Sequence, residues 1–197
     1  MENVSTPLEL LDFMSKILYG YLGRSGHLYH YDDENFNLKW YAEYILQNYG
    51  DISKNLCGNC WDQVEFERKW FQDHGYEIKT IYEMVLLDYN NDYPSHSFLI
   101  YEDENNKWNW FENADFANRG IHTFDTIEEL LDYQYHKYLE LLETYHISSD
   151  EIKKIVMTEF DKPKEKITAR EYIDYVLNSK LINQSKFLIK GDFHERR

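Results

Sequence analysis

Three strand-like runs follow one another between two amphipathic helices, and that succession leaves few folds open. The first run, 77–87 (EIKTIYEMVLL), alternates and then turns continuously apolar, as a central strand does. The second is 97–101, the third 107–112, and the polar stretch Glu102-Asp103-Glu104-Asn105-Asn106 between them reads as a hairpin turn. Ahead of the runs, a helix is expected from Cys60 to His74-Gly75. Behind them, Thr126-Ile127-Glu128-Glu129 is a capping box that opens a helix to about Tyr145. Strands that pair as neighbours, with helices before and after rather than between, predict an α+β fold.

The remaining segments extend this plan. Thr6-Pro7-Leu8-Glu9 is a capping box with proline at the first helical position. Leu8, Leu11, Met14, Leu18 and Tyr21 at helical spacing predict a helix to about Leu22, broken by Gly23, Ser25 and Gly26. A second helix is expected near 37–49, lined by Leu38, Tyr41, Ile45 and Tyr49 and capped by Gly50. Past the long helix, 152–160 has strand character, 161–164 reads as a surface turn, and Thr168-Ala169-Arg170-Glu171 starts a last helix carrying Tyr172, Ile173, Val176 and Leu177. The closing segment KFLIKGDFHERR is locally basic. The expected organisation is an N-terminal helical part at 1–50, a core at 51–146 in the same domain, and a C-terminal α/β extension at 147–197.

Composition narrows the function classes. Apolar residues make up 43% and aromatics 17% of 197 residues, with only 3 Pro and 8 Gly, so the chain can bury a large core and is not of disordered type. A net charge of -15 argues against nucleic-acid backbones and anionic membrane surfaces, both of which select clustered Lys and Arg. The first residues lack a basic n-region, and no apolar run reaches membrane-spanning length. A cytoplasmic protein is therefore expected, with secretion lacking a signal left open. The oligomeric state is not legible.

Both cysteines lie in Cys57-Gly58-Asn59-Cys60, too few for a disulfide framework. Thioredoxin-type chemistry needs a strand directly before the CxxC, whereas 49–55 is polar and contains glycine. Structural zinc needs two further ligands, and no second CxxC or HxxxH is present. Cys57 then reads as a packing residue or spare thiol. Cys60 falls on the first turn of a helix, where unpaired N–H groups and the helix dipole favour a cysteine as thiolate nucleophile. His96 opens the second strand and Glu112 closes the third, so the hairpin brings them towards the same end. An imidazole in reach forms an ion pair with a thiolate and then protonates the leaving group. A third group must hold the ring in its tautomer. An oxyanion would be met by the Cys60 N–H and a neighbouring side chain: Asn55, Asn59, Trp61, Gln63 or Asn113. His27, His30, His74, His136, His146 and His194 lack a partner pattern and read as surface residues, and His122 as structural.

Segment 55–124 resembles the transglutaminase-like branch of the papain-type cysteine-protease superfamily. That branch places its nucleophile in Gly-x-Cys-Trp at a helix start, as in Gly58-Asn59-Cys60-Trp61, and its histidine in a strand as in His96-Ser97-Phe98-Leu99. Its acid follows a Trp-containing run, as in Trp108-Asn109-Trp110-Phe111-Glu112, and bacterial members carry a later segment like Gly120-Ile121-His122. The resemblance covers about a third of the chain. It implies a papain-like core in which the cysteine helix packs on an antiparallel sheet bearing the histidine and acid. It also implies Cys60 as nucleophile, His96 as base and acid, and Glu112 as orienting group. The family's usual acid is aspartate, so Asn113 and Asp115 stand beside Glu112 for the third role. The expected activity is thiol-dependent acyl transfer on a peptide, protein or carboxamide substrate, of cysteine peptidase, amidase or transglutaminase type, without cofactor or metal. The alternatives are a non-catalytic peptide- or protein-binding module on the same fold and, third, a CxxC redox or zinc protein.

Overall fold

The turn between the last two strand-like runs closes as a tight hairpin. Asp103 accepts the amide N–H groups of Asn105 and Lys107 on its side chain at 2.9 and 3.0 Å, and Asn106 takes a left-handed conformation with φ of 55°. Around this hairpin a computed structural model, describing residues 4–87, 94–148 and 150–182, places six helices and a six-stranded antiparallel sheet. The helices are α1 (Pro7–Met14), α2 (Phe36–Glu43), α3 (Tyr49–Asn55), α4 (Cys60–Asp73), α5 (Ile127–Thr144) and α6 (Ala169–Leu177). The strands are β1 (Gly20–Leu22), β2 (Leu28–His30), β3 (Ile78–Leu87), β4 (Ser95–Glu102), β5 (Trp108–Glu112), β6 (Gly120–Phe124), β7 (Ile152–Glu159) and β8 (Lys180–Leu181). Strands β1 and β2 form their own small hairpin, and the large sheet runs β6-β5-β4-β3-β7-β8. The mixed α+β class is as expected. The basic segment 186–197 and His194 lie outside the described residues.

Strand β3 is flanked by β4 and β7 and has helices over both faces, which is why its sequence turns continuously apolar. On one face Tyr82, Leu99, Tyr101 and Phe111 pack against α4, α6 and the N-terminal segment. On the other, Ile81, Phe98, Ile100 and Trp110 meet Leu130 and Leu131 of α5, and Val85 and Ile155 meet Tyr138 and Leu142. The alternation along each strand sorts its residues between these two cores.

The first fifty residues depart from the expected pair of long helices. Helix α1 stops at Met14, and the chain then pairs through Leu18 with Cys57 and through β1 with β2. Gly20 explains the change: it disfavours helix by about 1 kcal/mol relative to Ala, and a Cβ there would stand 2.4 Å from the Tyr29 carbonyl oxygen and 2.5 Å from Cys57 Sγ. Burial of Tyr21 against Tyr29, with ring centroids 4.8 Å apart, wins over helical spacing. The second expected helix splits as well. After α2 the chain extends, with Ile45 N–H donating to the Leu22 carbonyl and Leu46 N–H to Ile167. A capping box of Asn48 and Asp51 then opens α3 at Tyr49, so Gly50 lies inside a helix start rather than after a helix end. Strands β6 and β8 are also additions to the sequence reading.

Asp62 ties this irregular segment to α4. Its carboxylate accepts from the Tyr44 hydroxyl at 2.9 Å, the Gln47 amide at 2.8 Å, the Gln47 side chain at 3.3 Å and the Asn59 amide at 3.2 Å. Replacing Asp62 by Ala leaves these buried donors unpaired, each costing about 1–3 kcal/mol. Asp62→Ala is expected to lose at least about 3 kcal/mol of stability, read as a lowered urea midpoint with an unchanged transition slope.

Candidate active site

The start of α4 is fixed by reciprocal capping. Asn59 accepts the Trp61 and Asp62 amides on its side-chain oxygen at 3.0 and 3.2 Å, while Asp62 accepts the Asn59 amide. Gly58 permits the approach, since a Cβ there would lie 2.9 Å from the Asp62 Cβ. Cys60 is thereby held as the first helical residue, buried at 5% exposure and lining a cleft.

The sheet delivers the partners. His96 lies within β4, and extending the β4–β5 register by one position sets Glu112 across from Phe98, diagonal to His96 on the same face. The buried His96 ring bonds through Nε2 to Glu112 Oε2 at 2.8 Å. The Cys60 thiol stands close enough to the same ring to favour its protonated form, and Nδ1 is the nitrogen that Glu112 leaves free. The other Glu112 oxygen accepts the Asp115 amide at 2.7 Å. Burial works against charge on His96. The Glu112 charge, the nearby Cys60 thiol and the Glu112 hydrogen bond outweigh it and hold the imidazole well above the usual histidine range.

Of the three acid candidates, Glu112 is the one that meets His96. Asn113 donates to Gln63 Oε1 at 2.7 Å and to the Met14 carbonyl at 3.1 Å. The Asp115 carboxylate caps its own turn, accepting from the Ala117 amide and the Asn118 side chain. Two of the side-chain amides proposed as oxyanion donors donate elsewhere, Asn55 to Gln47 at 2.8 Å and Gln63 to the Gly58 carbonyl at 2.8 Å, while Asn59 gives its side-chain oxygen to the helix cap. Trp61 is buried and stacks on Tyr172 with centroids 4.4 Å apart. Cys57 is fully buried, its sulfur 3.7 Å from His30 Nδ1, and burial pushes its thiol up to about 12. His122 stacks on Trp110 and bonds the Asn118 carbonyl, a structural setting.

Sequence reasoning missed three residues near the pair. Tyr19 donates its hydroxyl towards Cys60 Sγ at 4.0 Å. It is one tyrosine among 18, on a segment read as helix, so no local signal marked it. Glu83 sits directly across from His96 on β3. Burial pushes its carboxyl up to about 8, the His96 charge and a Gln134 hydrogen bond oppose that, and Glu112 reinforces it. Gln134 Nε2 donates to one Glu83 oxygen, while the other Glu83 oxygen and the Gln134 oxygen have no partner among the described residues. Glu67, two turns along α4 from Cys60, is held well above the carboxylate range by burial and then by the Glu112 charge. An acid inside an otherwise apolar strand, as at Glu83, is the signal that was available.

Above Cys60 three adjoining cavities of about 160, 290 and 660 Å³ share Tyr19, Pro94 and Ser95. Their walls are largely aromatic, with Tyr31, Phe36, Trp40, Phe116 and Tyr145, and no Lys or Arg lines them among the described residues. A fourth cavity of about 320 Å³ lies beside Arg68 and Lys162, whose charges are paired with Glu65 and Glu165. Among the described residues no group of three His, Cys, Asp or Glu is arranged to hold a metal ion, and no helix is long and apolar enough to cross a membrane. The chain matches no protein-family model and no curated protein.

The buried acids set the sign of the pH dependence. Asp62, pushed up to about 7 by burial, and Glu83, near 8, are both held above their unfolded values. The folded chain therefore holds protons that the unfolded chain has released, and stability drains as pH rises through those values. His96, also raised, acts with the same sign. The thermal midpoint is expected to fall from pH 5 to pH 9, and Glu83→Gln, which keeps the acceptor for Gln134, to flatten that fall. A midpoint that rises with pH contradicts the assignment.

Proposed function

We propose that this protein is a thiol-dependent acyl-transfer enzyme of the cysteine peptidase or amidase type, acting on a peptide or protein carboxamide. The observation that carries this reading is the chain of contacts from Cys60 at a capped helix start, through His96, to Glu112. The resemblance of segment 55–124 to transglutaminase-like, papain-type proteins supports it. So does the packing of α4 on the sheet that bears His96 and Glu112.

In this mechanism the Cys60 thiolate attacks the carbonyl carbon, forming a C–S bond and an oxyanion. Collapse breaks the C–N bond, and the imidazolium of His96 gives its proton to the leaving amine. His96, now neutral, takes a proton from water, whose oxygen attacks the thioester and releases the acid and the thiol. An amine in place of water gives transamidation. Glu112 keeps Nε2 engaged throughout, so Nδ1 faces the sulfur. The aromatic cleft excludes water and offers apolar surface to a polypeptide.

The rim of that cleft also favours a second reading. Tyr31, Phe116 and Tyr145 are 62%, 62% and 55% exposed around one opening, the kind of surface a non-catalytic peptide-binding module presents.

Iodoacetamide labelling separates the two. Cys60 is expected to react roughly tenfold or more faster than the buried Cys57, and His96→Ala to slow Cys60 by about tenfold or more. Equal, slow labelling of both cysteines sinks the enzymatic reading.

A further inference from the structure

The proposed acyl transfer creates an oxyanion beside Cys60 Sγ, and the side-chain amides of Asn55, Gln63 and Asn113 already donate elsewhere. Asn55, Gln63 and Asn113 donate to Gln47, to the Gly58 carbonyl, and to Met14 and Gln63. Asn59 accepts on its oxygen to cap α4, and its backbone N–H is given to Asp62. At the helix start, the Cys60 backbone N–H is not among the donors that the Asn59 cap takes, which are those of Trp61 and Asp62. A further donor faces the sulfur: the Tyr19 hydroxyl, 4.0 Å from Sγ. Both the Tyr19 hydroxyl and the Cys60 N–H therefore lie beside the thiol at the start of α4.

Resting on the acyl-transfer reading, we propose that Tyr19 is a catalytic residue whose hydroxyl, together with the Cys60 backbone N–H, binds the oxyanion of the tetrahedral intermediate. The segment that carries Tyr19 is shaped for this. It runs extended between the Leu18–Cys57 bridge and strand β1, with Leu18 N–H donating to the Leu56 carbonyl and Gly58 N–H to the Leu18 carbonyl at 2.9 and 3.0 Å. The loop before the nucleophile and the loop bearing the donor are thus joined by backbone bonds only a few residues from each. Tyr31, Phe36 and Phe116 hold the Tyr19 ring at centroid distances of 6.0 to 6.4 Å. Burial first, and then the Cys60 charge, keep the phenol well above its ordinary range, so it stays protonated as a donor wherever the enzyme is folded. In the proposed intermediate the carbonyl oxygen replaces the sulfur as acceptor of the Tyr19 hydroxyl.

Two reagents at the same sulfur separate this role from a structural one. With p-nitrophenyl acetate, Sγ attacks the carbonyl carbon, an oxyanion forms, and its collapse breaks the C–O bond to release p-nitrophenolate and leave acetyl-Cys60. With iodoacetamide, Sγ displaces iodide in one step and no oxyanion forms. Tyr19→Phe keeps the ring and removes the donor, and loss of one oxyanion donor typically slows acylation by about 10²–10³-fold. The expected result is acetylation of Cys60, mapped by peptide mass spectrometry, slowed by about tenfold or more while alkylation stays within about twofold. Unchanged acetylation overturns the proposal. An equal loss in both reactions assigns Tyr19 to holding the thiol rather than the oxyanion, and faster acetylation shows that its hydroxyl blocks the hole; either result overturns it too. If the unaltered protein is not acetylated at Cys60 at all, the acyl-transfer reading itself fails, and that outcome is distinct from the others.

Discussion

The reciprocal cap between Asn59 and Asp62 governs where α4 begins, and most of the rest follows from that point. A helix start leaves amide groups without partners, and in a buried position each must be met. Asn59 meets two of them, and Asp62 returns a bond to Asn59 while also gathering Tyr44 and Gln47 from the extended segment. One carboxylate therefore fixes the first turn of the helix and the chain that covers it. Gly58 is needed because no Cβ fits against Asp62. A cysteine placed one residue into such a helix lies at the positive end of the helix dipole, beside a backbone N–H that the cap leaves unspent.

Electrostatics around His96 run against the chain's overall charge. A surface of net -15 disfavours further anions, yet three carboxyl groups, Glu112, Glu83 and Glu67, are buried around one imidazole. They do not all ionise together. Glu112 holds the ring by a direct bond, and Glu83 and Glu67 are pushed towards their neutral forms by burial and by the Glu112 charge. The result is one positive group with one committed counter-charge and two reserve acids. That arrangement ties the protonation of the site to the stability of the sheet, since Glu83 belongs to the central strand β3 and reaches α5 through Gln134.

What could be read from the sequence was local and periodic. The strands at 78–87, 95–102 and 108–112, the helices opened by Cys60, Thr126 and Thr168, and the strand at 152–159 each carry a capping box or an apolar pattern that needs no distant partner. The meeting of His96 with Glu112 followed from a hairpin whose turn residues are explicit. The N-terminal third was misread because its pattern is helical while its partners are remote. Gly20 lies against Tyr29 and Cys57, and Leu46 pairs with Ile167, contacts that spacing cannot announce. The Asn48–Asp51 capping box was a missed local signal, hidden by taking Gly50 for a helix end. Tyr19 was invisible for the same reason as the hairpin that follows it: its place beside Cys60 comes from tertiary pairing of Leu18 with Cys57.

The position of β7 bears on how the chain comes together in time. It pairs along β3 from Leu87↔Ile152 to Ile81↔Glu159, so the central strand stays an open edge until the chain has been made almost to residue 160. Loop closure over that span is slow, and an uncovered strand as apolar as β3 is a template for wrong partners meanwhile. Helix α4, its cap and the hairpin can form early from local contacts, whereas the sheet that positions His96 is completed from the far end of the chain. A boundary at residue 146 would separate β7 and β8 from the other four strands of the sheet. Synthesis of this protein thus has a vulnerable interval, between emergence of β3 and arrival of β7, in which one edge of the central strand stands uncovered.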